Sequence, residues 1–410
     1  MSQAAAEKSQ EEPKSAPRRL LSLALPRFFS LALLDDRYPA LHGLRVLAII
    51  SVIQYHITWI FSGEQGIALN DTFREASLSI FYGMDLFFLL SGFLIGSILI
   101  RSLEVSGTQN LRRFYLRRIF RTFPSYYVVL TTLALALPLT AAQWAHLPYE
   151  YVYLTNFMPL ARDEILMFWG WSLSLEEQFY LTVPFLMFVL YRLRTDRSRM
   201  IALATLALSA LVIRLSIYFH GSPWDDFDLY EAVYFRTYTR FDVIVAGILL
   251  AFMEIRYGKP IAAWLKAPFH RALIGIPCLT LLWLISNPTL LGDEHAQLMH
   301  VFAWGTLTSL MYLGVVPLIL HGEGPVQRFL GHPIFRRLAT LGYGVYLVHI
   351  PLIDHVLVPI ALRLNEDGSS MAWVWPASLL GVTAASFVIG YLMHLLIEKP
   401  ALWVRDKVAA

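Results

Sequence analysis

Cysteine is almost missing: Cys278 is the single one in 410 residues, which excludes an intrachain disulfide and a cysteine metal cluster. No metal site is expected. Charge is scarce as well, at 15% of residues against 57% hydrophobic, and that balance excludes an ordinary soluble chain. The net charge is only +3, and no long basic stretch with interleaved aromatics points to nucleic acid. An uninterrupted apolar core with a small-residue cleavage site is missing from the first forty residues, so no signal peptide is read there. No internal repeat is visible.

What the chain does have is long apolar runs. About 20 apolar residues cross the hydrocarbon, and ten such spans are expected, near 44–61, 81–100, 122–140, 175–191, 200–218, 240–253, 272–288, 301–320, 338–362 and 374–397. The fold class is therefore all-α, a polytopic membrane helix bundle. With the N-terminus inside, the connections on that side carry twenty Lys and Arg residues, whereas the opposite connections carry only Arg74, Arg162, Arg236 and Arg363. That bias places both termini in the cytoplasm. Residues 1–40 read as a cytoplasmic tail leading to an interfacial helix, 41–400 as the membrane domain and 401–410 as a short cytoplasmic tail.

Only Arg45, Arg214 and Arg240 are arginines inside the spans. Arg45 and His56 lie eleven positions apart in the first, about three helical turns, so they share one face about 16 Å apart along the axis. Ionisable groups in hydrocarbon are costly and mark functional paths. Toward the cytoplasm, Arg117, Arg118 and Arg121 follow at helical spacing and form a multivalent face for phosphate, one that equally suits anionic lipid heads. Toward the outside lie His56, Asp85, Glu176, Glu177, Arg214, Arg240, Asp242, Asp354 and His355, with His349 nearer the middle. Such a concentration suggests a buried acid/base site. Glu176 and Glu177 also fit the first turn of a helix, and Asp242 beside Arg240 fits an ion pair. His394 and Glu398 read as interfacial. The aromatics between Gln143 and Trp171 suit either a membrane-interface belt or a sugar-stacking face.

Together these residues resemble the acyltransferase-3 family of integral membrane acyltransferases, which includes bacterial enzymes that O-acetylate lipopolysaccharide, exopolysaccharide, peptidoglycan and nodulation factors. The resemblance runs through Arg45 to His56, Gly83-Met84-Asp85-Leu86-Phe87-Phe88, Arg117-Arg118-Ile119-Phe120-Arg121, Trp171-Ser172-Leu173-Ser174-Leu175-Glu176, Arg240-Phe241-Asp242, Tyr343-Gly344-Val345-Tyr346-Leu347-Val348-His349 and Glu398-Lys399-Pro400. Gly342 stands where the family often has serine, and the chain resembles the stand-alone form without a fused extracytoplasmic domain.

The resemblance implies transfer of an acyl group, acetyl by family prevalence, from cytoplasmic acyl-CoA to a hydroxyl of an extracytoplasmic glycan or glycolipid at the bacterial cytoplasmic membrane. Arg117, Arg118 and Arg121 would hold CoA phosphates and Arg45 would guide the pantetheine arm. His56 would act as general base with Glu176 orienting it, and Arg240 or Tyr346 would stabilise the oxyanion. Asp85, Asp242 and His349 would support the polar site. Two alternatives remain open: a proton-coupled transporter or flippase relaying through His56, Glu176 and Asp242, and an acyltransferase acting on a small molecule.

Overall fold

The computed structural model describes residues 30–408 apart from 66, 68, 79–81 and 222. The tail and interfacial helix expected in 1–40 lie outside the described residues as far as residue 29. Among the described residues there are helices and no strands.

In chain order the helices are α1 (Pro39–Trp59), prolonged by a π-turn Ile60–Glu64, α2 (Asp71–Leu78), α3 (Gly83–Ser106), α4 (Leu111–Ala136), α5 (Ala141–Tyr151), α6 (Trp171–Leu190), α7 (Asp196–Gly221), α8 (Asp226–Tyr234) and α9 (Thr237–Trp264). There follow α10 (Pro268–Ile285), α11 (Asp293–Phe302), α12 (Thr308–His321), α13 (Pro325–Leu330) and α14 (Pro333–Leu352). The π-turn Ile353–Leu357 joins α14 to α15 (Val358–Glu366), and His394–Glu398 joins α16 (Met371–Met393) to α17 (Lys399–Val408).

Nine helical stretches among the described residues are long and apolar enough to span a membrane. The sixth expected span, α9, is long enough at 28 residues, but every 18-residue window of it includes at least three of Arg240, Asp242, Glu254, Arg256 and Lys259. It is buried instead of lipid-facing, clamped between α3 and α7. Charge is admitted there because protein, not hydrocarbon, surrounds it. Residues 401–408, within the segment read as a short tail, belong to α17 and pack on α4.

Two glycines set the closest crossing. A Cβ on Gly92 would stand 2.0 Å from the Ile244 carbonyl oxygen, and one on Gly247 would stand 2.1 Å from that of Leu89. Backbone against backbone is how membrane helices gain packing energy without a hydrophobic drive between them. Gly92→Ala or Gly247→Ala is therefore expected to destabilise the bundle by about 3 kcal/mol or more, read as a lost monodisperse peak or a lowered thermal midpoint in detergent.

The eighth span breaks where α11 meets α12, with Trp304 at ψ 85° and Gly305 at φ 112°. Arg214 from α7 closes the break. Its Nε donates to the Val301 carbonyl at 3.0 Å, its Nη1 to that of Thr239, and its Nη2 to Thr306 Oγ1 at 2.6 Å and Asp242 Oδ2 at 2.8 Å. Non-helical backbone at this depth survives only where the freed groups find partners. Glycine is required at 305 by its φ and by space, since a Cβ would meet Asp242 Oδ2 at 2.4 Å.

Candidate active site

Three elements meet near the C-terminal end of α1: α1 itself, α14 and the turn Phe168–Gly170 that opens α6. His56 Nδ1 lies 2.9 Å from the Val52 carbonyl oxygen and 3.2 Å from His349 Nε2, while His349 Nδ1 lies 2.5 Å from the Tyr346 carbonyl oxygen. These partners assign the protons. A carbonyl only accepts, so both rings carry hydrogen on Nδ1, and His349 Nε2 is left as an acceptor for the His56 Nδ1–H. His56 Nε2 is then the unprotonated nitrogen, and among the described residues it has no hydrogen-bond partner. Rings of Tyr55, Trp59 and Phe168 stand around His56 at 5.5, 6.5 and 6.4 Å between centroids. His349 is fully buried and His56 half-buried.

Glu176, expected beside His56, is elsewhere. Its Oε1 accepts from Ser91 Oγ at 2.5 Å and its Oε2 from Tyr180 OH at 3.4 Å. Because α6 starts at Trp171, four residues before the expected span, Glu176 and Glu177 are past the first turn and the helix-dipole account does not apply. Tyr180 sits one turn beyond Glu176 and carries Arg118 over its ring at 5.5 Å. It belongs to the Glu176 group although the sequence offered only the i,i+4 spacing as a signal.

Arg45 is half-buried, and the charges that act on it are those of Arg121, Tyr180, Glu176 and Arg118. The helical register expected for the arginines holds, since α4 runs unbroken from Leu111 with Asn110 Oδ1 capping Arg113 N at 2.9 Å. Among the described residues, Arg45, Arg117, Arg118 and Arg121 have no carboxylate within 4.0 Å. Arg117 is exposed at the rim, where the charges of Arg113, Arg405 and Asp406 act on it, whereas that of Glu398 acts on Arg121. Guanidinium groups that act on one another, with carboxylates only at longer range, repel unless an anion joins them.

The remaining polar residues pair across helices. Arg240 bonds to Asp85, with its guanidinium 4.3 Å above the Tyr234 ring, and Arg214 bonds to Asp242. The neighbour pairing of Arg240 with Asp242 does not form, because residues two apart on a helix point about 200° apart. Arg240 is fully buried, and its Nη2 bonds Asp85 while its Nε and Nη1 have no hydrogen-bond partner among the described residues. Tyr346 OH donates to the Trp169 carbonyl at 2.9 Å and lies 2.6 Å from Ser172 Oγ. His56, Glu176 and Asp242 thus have separate partners and do not form a chain. His394 Nδ1 lies 2.8 Å from Glu398 Oε2, and Ala32 N–H donates to its Nε2 at 3.1 Å, so this dyad ties down the chain leading into α1. No group of three or more metal-binding side chains occurs among the described residues.

Glu150, which the sequence did not single out, braces the turn beneath His56. Its two carboxylate oxygens accept from the backbone N–H groups of Leu166 at 3.1 Å and Met167 at 2.8 Å, just ahead of Phe168. Burial pushes its carboxyl up to about 7 from 4.5, against the pull of those N–H groups and of His146. The folded state then holds the proton more tightly than the unfolded chain, so its contribution to stability is full below pH 4.5 and falls as pH rises to about 7. Thermal midpoints at about pH 5 and about pH 7.5 should differ in the native protein, and Glu150→Gln should remove that part of the difference.

The chain matches the family model described as an acyltransferase domain over residues 38–395. It is 28% identical over 387 residues to the peptidoglycan O-acetyltransferase OatA of Listeria monocytogenes, covering 88% of this chain and 55% of that protein. It is 25% identical over 338 residues to a provisionally named O-acetyltransferase of Staphylococcus aureus, covering 78% of this chain and 51% of the relative. A provisionally named peptidoglycan O-acetyltransferase of Bacillus subtilis, YrhL, is 24% identical over 392 residues, covering 88% of this chain and 54% of its own length. The chain thus spans about half the length of these relatives. No solved structure matches it.

Proposed function

We propose, from the premise that this chain belongs to the acyltransferase-domain family that its residues 38–395 match, that it moves an acetyl group from acyl-CoA to a glycan hydroxyl. The donor side is the cytoplasm and the acceptor side the outer face of a bacterial cytoplasmic membrane. The names of the relatives support acetyl as the group and a glycan as the acceptor.

One observation carries the reading. A base nitrogen, His56 Nε2, shares α1 with Arg45 about 16 Å away along the axis, and Arg45 in turn neighbours Arg118 and Arg121 of α4. Arg118 and Arg121, with Arg117 at the rim, would hold the CoA phosphates through charge-assisted bonds, and Arg45 would line the way in for the pantetheine arm. Glu176, fixed by Ser91 and Tyr180, would keep this cluster from excessive positive charge while leaving its N–H groups free for phosphate.

At the outer end, His56 Nε2 takes the proton of the acceptor hydroxyl as its oxygen attacks the thioester carbonyl carbon. The carbon–sulfur bond breaks, and the departing thiolate takes that proton back to leave CoA-SH and the acetyl ester. During the step the imidazolium is held by His349 Nε2 and the Val52 carbonyl, both accepting from Nδ1–H. His349 thus fills the orienting place expected of Glu176, as a neutral partner in place of a carboxylate.

The test is purified protein with acetyl-CoA and surface glycan, with free thiol and glycan mass as readouts. The proposal expects thiol release matched by a gain of acetyl mass on the glycan. An absence of thiol release contradicts it.

A further inference from the structure

Tyr153, in the segment between α5 and α6, is set apart twice. Among the described residues it is the single non-glycine residue with a positive φ, at 56°. Its side chain is buried, and its hydroxyl has no hydrogen-bond partner among those residues. We infer that this hydroxyl binds the donor, hydrogen-bonding an amide of the pantetheine arm as the arm runs from the arginine cluster toward His56. The inference rests on the proposed acyl transfer and adds a residue that touches the donor between its phosphates and its thioester.

The residue is held in place before any ligand arrives. A bulky side chain at positive φ is strained, and such strain persists only where the surroundings impose it. Here the backbone is fixed on both sides: the Tyr153 N–H donates to the Glu150 carbonyl at 3.1 Å, and Gln178 Nε2 of α6 donates to the Tyr153 carbonyl at 2.8 Å. The phenol ring stacks on Tyr126 at 4.3 Å and on Phe123 at 5.2 Å between centroids, with the planes 26° and 30° apart. Both partners stand near the middle of α4, a helix long and apolar enough to span the bilayer. Irregular backbone at that depth is kept only where protein surrounds it or where it lines a path.

The neighbours of the hydroxyl place it on the route. Foremost among the groups that act on it are Tyr343 and Glu177. Tyr343 OH donates to the carbonyl of Thr122, the residue after Arg121, at 3.0 Å. On α14 the same Tyr343 precedes His349 by six residues, about 9 Å along the axis. Glu177 follows Glu176, whose charge acts on Arg45. The hydroxyl therefore lies between the arginines and the histidine pair.

Its chemistry suits that stretch of the donor. Between phosphates and thioester the pantetheine arm is uncharged, and its polar groups are amides and a hydroxyl. A phenol both donates and accepts, as an amide does, whereas phosphate is the partner of guanidinium groups. A buried hydroxyl without a partner costs free energy, and a ligand amide that supplies the partner recovers it.

Tyr153→Phe in the purified full chain is the test, because it deletes the hydroxyl and keeps the stacked ring. Its thermal midpoint in detergent should equal or exceed the native value, since no hydrogen bond among the described residues is lost. Its KM for acetyl-CoA should rise about three- to tenfold, the range for one neutral hydrogen bond, with kcat and the KM for the acceptor unchanged. S-acetylpantetheine, which has the arm and lacks the nucleotide phosphates, separates the two donor contacts. With it Tyr153→Phe should cost the same factor, whereas Arg118→Ala should cost nothing. If Tyr153→Phe fails to fold, the native chain carrying fluorotyrosine at position 153 decides: its fluorine resonance should move on addition of CoA and stay in place with the nucleotide portion of CoA alone. A native KM in Tyr153→Phe, a penalty with acetyl-CoA but none with S-acetylpantetheine, or a fluorine resonance that ignores CoA overturns the assignment. Each of these leaves the hydroxyl to a buried water and the acyl-transfer proposal standing. Failure of the native protein to use acetyl-CoA at all overturns both.

Discussion

Replacing His56 with alanine is expected to lower acetyl transfer by about 10³-fold or more, near the upper part of what a positioned general base contributes. The protein should still insert and purify as a single species, because the imidazole is half-buried and, among the described residues, bonds only to Val52 and His349. His349→Leu separates positioning from packing. It should lower kcat by about ten- to a hundredfold with the KM for acetyl-CoA unchanged, and His349→Gln, which returns an acceptor oxygen, should recover part of it. A His349→Leu variant with native kcat would remove His349 from the account and leave His56 without an orienting partner.

The second large effect belongs to the inner arginines. Arg118→Ala should raise the KM for acetyl-CoA about ten- to a hundredfold, the range for losing one or two charge-assisted hydrogen bonds, while kcat at saturation changes little. Arg121→Ala should behave likewise, and Arg117→Ala, exposed at the rim, should cost less. The cluster should also make donor binding weaken with salt, and the double variant of Arg118 and Arg121 should lose most of that dependence. Steady-state kinetics at low and high ionic strength check this. An unchanged KM for acetyl-CoA in Arg118→Ala would assign the cluster to anionic lipid heads instead.

The helical bundle was legible because hydrocarbon imposes a length and an apolar composition that survive in the sequence. Boundaries were less so. The helix of the third expected span, α4, starts at Leu111 and not near 122 because its arginines extend the same helix beyond the apolar run, and α6 starts at Trp171 because Trp and Ser helical turns carry no hydropathy signal. Within the site, the Arg45 to His56 face and the Arg117, Arg118 and Arg121 register follow from 3.6 residues per turn alone. The partners do not. That Asp85 meets Arg240, that Asp242 meets Arg214, and that His349 and not Glu176 stands beside His56 depend on which helices cross, and crossing is set by contacts such as Gly92 against Gly247. Glu150 was invisible for the same reason: its carboxylate serves the backbone of residues sixteen and seventeen positions away.

Sidedness is the most direct measurement of the whole account. The chain is reconstituted in one orientation in sealed vesicles, with acetyl-CoA supplied only on the side of the Arg118 cluster and the acceptor enclosed on the side of His56. Acetylated acceptor should accumulate inside while CoA-SH appears outside and no acetyl-CoA crosses. Product that forms only when acetyl-CoA and acceptor share one compartment would contradict it.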